Sequence, residues 1–97
     1  MMTTIHKMGK KYRIITKGAP EVLIKKCTKC YNNGSISSIY SKEESIKYQN
    51  NEMSEKALRV IAVAYRDADN LPVNITADAI ENDLIFVGLI GMIDPPR

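Results

Sequence analysis

Two positively charged side chains lie where this sequence could hold a phosphate-bearing ligand. Lys17 precedes Gly18 at the end of a predicted strand, which places an ammonium group beside a residue whose missing side chain lets a ligand approach the backbone. Arg59 lies at the edge of a predicted buried strand, where its permanent charge must meet an acid or a phosphate. The plain alternatives are a solvent-facing lysine before a tight turn, and a salt bridge from Arg59 to Glu55.

Cys27 and Cys30, separated by two residues in a Cys-x-x-Cys pattern, raise the question of a metal or redox site. A structural zinc site usually needs four ligands, and His6 is the only histidine in the chain. A redox pair more often begins a helix, whereas Cys27 is predicted to end one. We therefore expect no metal or redox function here, and we expect His6 to be a surface residue.

The elements that must position Lys17 are a hairpin and a short helix. Loosely alternating, β-branched residues predict strands over 2–7 and 11–16. A proline and a glutamate in the first turn then predict a helix over 20–27. Its apolar face would include Leu23 and Cys27, which are spaced i, i+4.

The middle of the chain predicts a loop and a second helix. Residues 28–38 are rich in turn-forming side chains and are expected to be a mobile loop. Ser41 to Glu44 matches a capping box, which predicts that a helix over 42–57 begins there. The residues expected on its apolar face are Ile46, Met53 and Ala57.

Two almost wholly apolar segments, 59–66 and 84–93, are predicted to be strands, and the first of them is predicted to be buried on both faces. Between them we expect a loop over 67–75 and a short helix over 76–82. The expected fold is a single small α+β domain, with a mainly antiparallel sheet and two or three covering helices.

Composition and charge narrow the class of protein. The 97 residues are 44% hydrophobic and 26% charged, as in ordinary soluble domains, and the longest apolar run of nine residues is far below the roughly 20 of a membrane-spanning helix. The N-terminus lacks the apolar core of a signal peptide, so we expect a cytosolic chain with reduced cysteines. Residues 1–30 carry eight Lys or Arg against one acid. That excess could attract phosphates, but few aromatics accompany it, so we expect no nucleic-acid partner.

Three segments, in this order along the chain, each resemble a stretch of the P-type cation-transporting ATPase family, closest to its calcium-pump-like branch. The segments are Thr16-Lys17-Gly18-Ala19-Pro20-Glu21, then Ala57-Leu58-Arg59-Val60-Ile61-Ala62-Val63-Ala64-Tyr65-Arg66, and finally Phe86-Val87-Gly88-Leu89-Ile90-Gly91-Met92-Ile93-Asp94-Pro95-Pro96-Arg97. One such segment would be weak evidence for the family, but three in order, spread over most of the chain, are strong evidence. The chain therefore resembles a partial cytosolic nucleotide-binding (N) domain over residues 1–97.

The resemblance implies roles for particular residues. Lys17, Gly18 and Ala19 would line the adenine pocket, as the matching residues of the family do. Arg59 would contact the phosphates, and Ile61 would supply apolar contact under the base. Residues 94–97 would form the hinge towards the phosphorylation domain.

The resemblance also implies a parent protein. In the family, ATP with Mg²⁺ transfers its γ-phosphoryl group to an aspartate to drive cation transport, and the branch favours calcium. The Asp-Lys-Thr-Gly-Thr, Thr-Gly-Asp and Gly-Asp-Gly motifs of that hydrolase chemistry do not occur in this sequence. We therefore expect a soluble fragment, inactive by itself, whose partners are nucleotide and the phosphorylation and membrane domains of a parent chain. It would lie on the cytoplasmic side of the membrane.

In the family, the aromatic residue that stacks on adenine lies upstream of the segment that the start of this sequence resembles. That position precedes Met1, so the 97 residues are expected to hold a weakened nucleotide site. The alternative hypothesis is a structural fragment without significant ligand affinity, which self-associates through an exposed sheet edge.

Overall fold

The computed structural model describes residues 1–32, 34–56, 59–69 and 83–92. Its strands are β1 (Met2–Met8), β2 (Lys11–Gly18), β3 (Cys27–Asn32), β4 (Ser35–Ser38), β5 (Arg59–Ala68) and β6 (Leu84–Met92). Its helices are α1 (Pro20–Ile24) and α2 (Glu43–Lys56), and a short 3₁₀ helix covers Ile39–Ser41.

The six strands form one sheet in the order β1-β2-β5-β6-β3-β4. Every neighbouring pair is antiparallel except β3 and β6, which run parallel. The prediction of an α+β domain with a mainly antiparallel sheet is therefore confirmed. β1 and β4 are the edge strands, while β5 lies in the interior and joins the strand of Lys17 to β6.

Both helices pack on the same face of the sheet. Leu23 and Ile24 of α1 and Ile46 of α2 share one buried cluster with Ala62 and Ala64 of β5. Because side chains alternate along a strand, the odd-numbered residues of β5 between 59 and 67 lie on the opposite face. We call that opposite face the open face, since no helix in the described ranges covers it.

The prediction that β5 is buried on both faces is wrong. Ala62 and Ala64 are completely buried, whereas Ile61 and Val63 on the open face are only half-buried. The same holds for β6, in which Phe86 is buried and Ile90 is exposed. A nearly continuous apolar run thus reflects one face in the core and one apolar face without a covering helix.

The residues predicted to form a mobile loop over 28–38 instead contribute two paired antiparallel strands, β3 and β4, and Cys27 begins β3 instead of ending α1. A β-bulge at Thr28 explains the error. Cys27 pairs with Leu84, and the next pair joins Lys29 to Ile85, so one residue of β3 is passed over. The bulge turns both cysteines towards the core although they are three residues apart, and that spacing imitates a helix in the sequence.

The predicted capping box at Ser41 does not form. Ser41 lies in the 3₁₀ helix, and its hydroxyl donates to the carbonyl of Ser38 at 2.8 Å. The Ser38 hydroxyl in turn accepts from the backbone of Tyr40 at 3.3 Å. Serine side chains that bond to local backbone groups favour such turns over regular helix, so α2 begins only at Glu43.

The remaining predictions are partly outside the described residues. The short helix over 76–82, the hinge over 94–97 and most of the loop over 67–75 lie there, as does Ala57. Asp67 and Ala68, the start of the expected loop, instead extend β5.

Candidate functional site

Lys17 lies near the end of β2 with its side chain exposed on the open face. Its cross-strand neighbours are Met2 on β1 and Val63 on β5. Thr16 points the opposite way and is completely buried, which fixes the direction of Lys17. Lys17 was predicted to lie at a strand end, and it lies one residue before β2 ends at Gly18.

Gly18 faces the helix-covered side, because it pairs with buried Ala62. A Cβ atom added at Gly18 would clash with the side chain of Met1. The absent side chain therefore makes room for Met1, and a role of Gly18 towards a ligand stays a prediction. Ala19 is the N-cap of α1, and its carbonyl accepts from the backbone of Leu23 at 2.9 Å.

Arg59 is the first residue of β5 and is exposed, and Ile61 lies two residues further on the same face. Their partners on β6 are Met92 and Ile90. The alternative salt bridge between Arg59 and Glu55 does not form between these two described residues; the pairs that do form include Arg13–Asp67 and Lys47–Glu43. Arg59 is exposed, and the residues next to it on this face are apolar.

The register brings Lys17 and Arg59 to one face of the sheet. Val63, opposite Lys17, is four residues from Arg59, so strand spacing separates the two Cα atoms by about 14 Å. Between the two cations lie Ile61 and Val63, with Ile90 beside them on β6. The arrangement is an apolar strip with a positive charge at each end, and we call it the Lys17–Arg59 strip.

A second cluster on the open face was not predicted from the sequence. Arg13 forms two hydrogen bonds to the Asp67 carboxylate, at 2.8 and 3.0 Å, and its guanidinium lies 4.7 Å from the ring centre of Tyr65. The hydrogen bond from Arg13 lowers the pKa of Asp67, and the same bond raises the pKa of Arg13. Arg13 and Asp67 are 54 positions apart in the chain, so no local sequence pattern could have revealed this pair.

Beside this cluster, the open face holds a cavity of about 450 Å³. Its lining residues are Arg13, Ile15, Tyr31, Val63, Tyr65 and Val87. Val63 is also the partner of Lys17, so the cavity adjoins the Lys17–Arg59 strip.

Both cysteines are free and buried on the helix-covered side. Burial, with a smaller contribution from Cys30, raises the pKa of Cys27 to about 12. Within the described ranges, no three His, Cys, Asp or Glu side chains come close enough to hold a metal ion. His6 is exposed on β1, as expected, with its Nε2 atom 3.0 Å from the Thr4 hydroxyl.

The thiol of Cys27 is expected to react slowly in the folded chain. A pKa of about 12 leaves a thiolate fraction of about 10⁻⁴ at pH 8, and the thiolate is the nucleophile. Titration with a disulfide reagent such as DTNB at pH 8 should therefore label both cysteines rapidly only after denaturant is added. Rapid labelling of the native chain, with unchanged circular dichroism, would contradict the buried position of the pair.

A family model described as P-type ATPase, cytoplasmic domain N, matches residues 1–97. The chain belongs to this family. The match covers every element described above, from β1 to β6, and it includes the three segments that carried the resemblance.

Curated relatives agree with the N-domain assignment. Calcium-transporting ATPase 1 of Bacillus cereus (strain ATCC 10987 / NRS 248) is 40% identical over 98 residues, which cover the whole of this chain and 11% of the relative. Calcium-transporting ATPase 1 of Lactococcus lactis subsp. lactis (strain IL1403) is 38% identical with the same coverage. An endoplasmic reticulum-type calcium-transporting ATPase 3 of Arabidopsis thaliana is 34% identical over 87 residues, covering 87% of this chain and 9% of the relative.

The chain thus spans about a tenth of the length of the curated relatives it matches. None of the helices in its described ranges is long and apolar enough to cross a membrane.

Proposed function

We propose that this N-domain chain contributes a nucleotide-binding surface to a P-type ATPase, with the Lys17–Arg59 strip as its centre. Lys17 and Ala19 border the adenine end, Ile61 lies under the base, and Arg59 meets the phosphates. By resemblance to the family, Gly18 belongs to the same end of the site as Lys17.

The single observation that supports this function is the placement of two exposed cations on one sheet face with apolar side chains between them. A nucleotide has the matching layout, since an apolar planar base is joined to a polyanion. The guanidinium of Arg59 suits phosphate because its donors form a rigid fork and it cannot lose its charge. The ammonium of Lys17 carries only a point charge, which suits a single polar contact at the base end.

The activity of the parent chain follows as a proposal from the family and the relatives' names. The intact pump would use ATP with Mg²⁺ to phosphorylate an aspartate outside these 97 residues and would transport a cation, calcium by analogy with the named relatives. Residues 94–97 would lead towards the phosphorylation domain. This chain would take part by presenting the nucleotide, and the chemical step would lie elsewhere.

Titration of the ¹⁵N-labelled chain with ATP, followed by backbone amide NMR shifts, tests the proposal. We expect saturable shifts that cluster around Lys17, Ala19, Arg59 and Ile61, with a dissociation constant in the millimolar range or tighter, equivalent to about 4 kcal/mol or more. Amides of β4, at the opposite sheet edge, serve as the internal control and should not move. The absence of shifts around Lys17 and Arg59 at millimolar ATP would refute the proposed function.

A further inference from the structure

Gly88 and Ile90 continue the Lys17–Arg59 strip onto β6. Gly88 pairs with Val63, and Ile90 pairs with Ile61. Paired residues of neighbouring strands share a face, so both positions lie on the open face. Leu89 between them points to the opposite side, where it packs against the core.

Gly88 leaves a gap in this surface. A Cβ atom added there would meet no atom within 4 Å. The gap lies in the row that runs from Lys17 through Val63. Its neighbours Val63 and Val87 line the open-face cavity, whereas Gly88 itself lines a second cavity of about 180 Å³ beside α2. Ile90 borders the gap on the side of Arg59, and its side chain is 48% exposed.

The gap and the strip have the dimensions of a two-ring base. Adjacent strands are about 4.8 Å apart, so the span from Lys17 across β5 to Gly88 is about 10 Å. A planar ring that contacts Lys17 at one edge and rests on Ile61 and Val63 reaches the space above Gly88 with its other edge. A branched side chain at position 88 would occupy that space.

We propose that Gly88 and Ile90 form the β6 wall of the nucleotide site, where Gly88 leaves room for the far edge of a purine ring and Ile90 packs against the ring. This inference rests on the proposed function and adds to it a determinant of base binding that lies on a third strand. It assigns the base, rather than the phosphates, to β6.

Two variants and two ligands test the wall. A Cβ atom at position 88 has open space around it, and Gly88→Val adds a β-branched residue, which strands favour, so the fold should persist. It is expected to weaken ATP binding at least about tenfold, with Gly88→Ala giving a smaller loss, because steric changes in an apolar pocket typically have such effects. Binding of inorganic tripolyphosphate, which has no base, should remain unchanged in both variants.

Ile90→Ala provides an independent test that removes packing instead of filling space. It is expected to weaken ATP binding about threefold to tenfold and to leave tripolyphosphate binding unchanged. Ile36→Ala is the matched control, because Ile36 is also a strand isoleucine, is 52% exposed, and lies on β4 at the far edge of the sheet. The control should bind ATP like the wild-type chain.

The outcomes separate this inference from the proposed function. If Lys17→Gln weakens ATP binding while Gly88→Val and Ile90→Ala do not, the β6 wall is overturned and the nucleotide site stands. Equal weakening of ATP and tripolyphosphate by Gly88→Val would also overturn it, since the effect would then not concern the base. If the wild-type chain binds no ATP, both proposals fall together.

Discussion

Replacement of Leu23 by alanine is expected to lower the free energy of unfolding by about 2–5 kcal/mol. Leu23 is completely buried and belongs to the cluster through which α1 packs on β5. Its truncation removes transfer free energy and leaves a cavity that neighbours fill only partly. Since small domains have total stabilities of about 5–15 kcal/mol, this one change would remove a large part of the margin.

Val22→Ala on the same helix is the matched control. Val22 precedes Leu23 but is 46% exposed, so its truncation should change stability by no more than about 0.5 kcal/mol. Urea denaturation followed by circular dichroism gives both values. Similar losses of stability in the two variants would show that α1 does not pack on the sheet as described. The position of Ala19 at the start of α1 would then also be in error.

The sequence predicted the parts of the fold in which local pattern and burial agree. The hairpin of β1 and β2 alternates along each strand, and Lys17 was correctly placed near the end of β2. β3 was missed because a single bulged residue, Thr28, removes the alternation that identifies a strand. β4 gave no signal of burial, since all of its residues are exposed.

For the candidate site, the sequence indicated which residues to compare but not how they are arranged. Sequence separation says nothing about whether Lys17 and Arg59 share a face, because a shift of one residue in register would turn one of them to the other side. The pairing of Lys17 with Val63 decides it. The same register turns Gly18 to the opposite face, where its missing side chain leaves room for Met1. No motif in the sequence could have indicated this.

Neutralising each of the two cations of the strip is expected to show which one binds the base and which one binds the phosphates. Arg59→Gln should weaken ATP and tripolyphosphate alike, by about tenfold or more, because hydrogen bonds to charged groups are worth about 1.5–3 kcal/mol and each 1.4 kcal/mol is a factor of ten. Lys17→Gln should weaken ATP but leave tripolyphosphate nearly unchanged. Isothermal calorimetry or NMR titration at fixed ionic strength measures the four affinities.

The control for this pair is Lys25→Gln, which removes one positive charge from an exposed position just after α1. If net positive charge merely attracts polyanions, Lys25→Gln and Arg59→Gln will weaken tripolyphosphate binding equally, and added salt will abolish the difference from wild type. A specific site behaves otherwise, because a guanidinium fixed at the start of β5 meets the phosphates of a ligand whose base is already held near Lys17. The ratio of the Arg59 effect to the Lys25 effect on ATP binding therefore measures how much of the binding depends on the positions of these residues in the sheet.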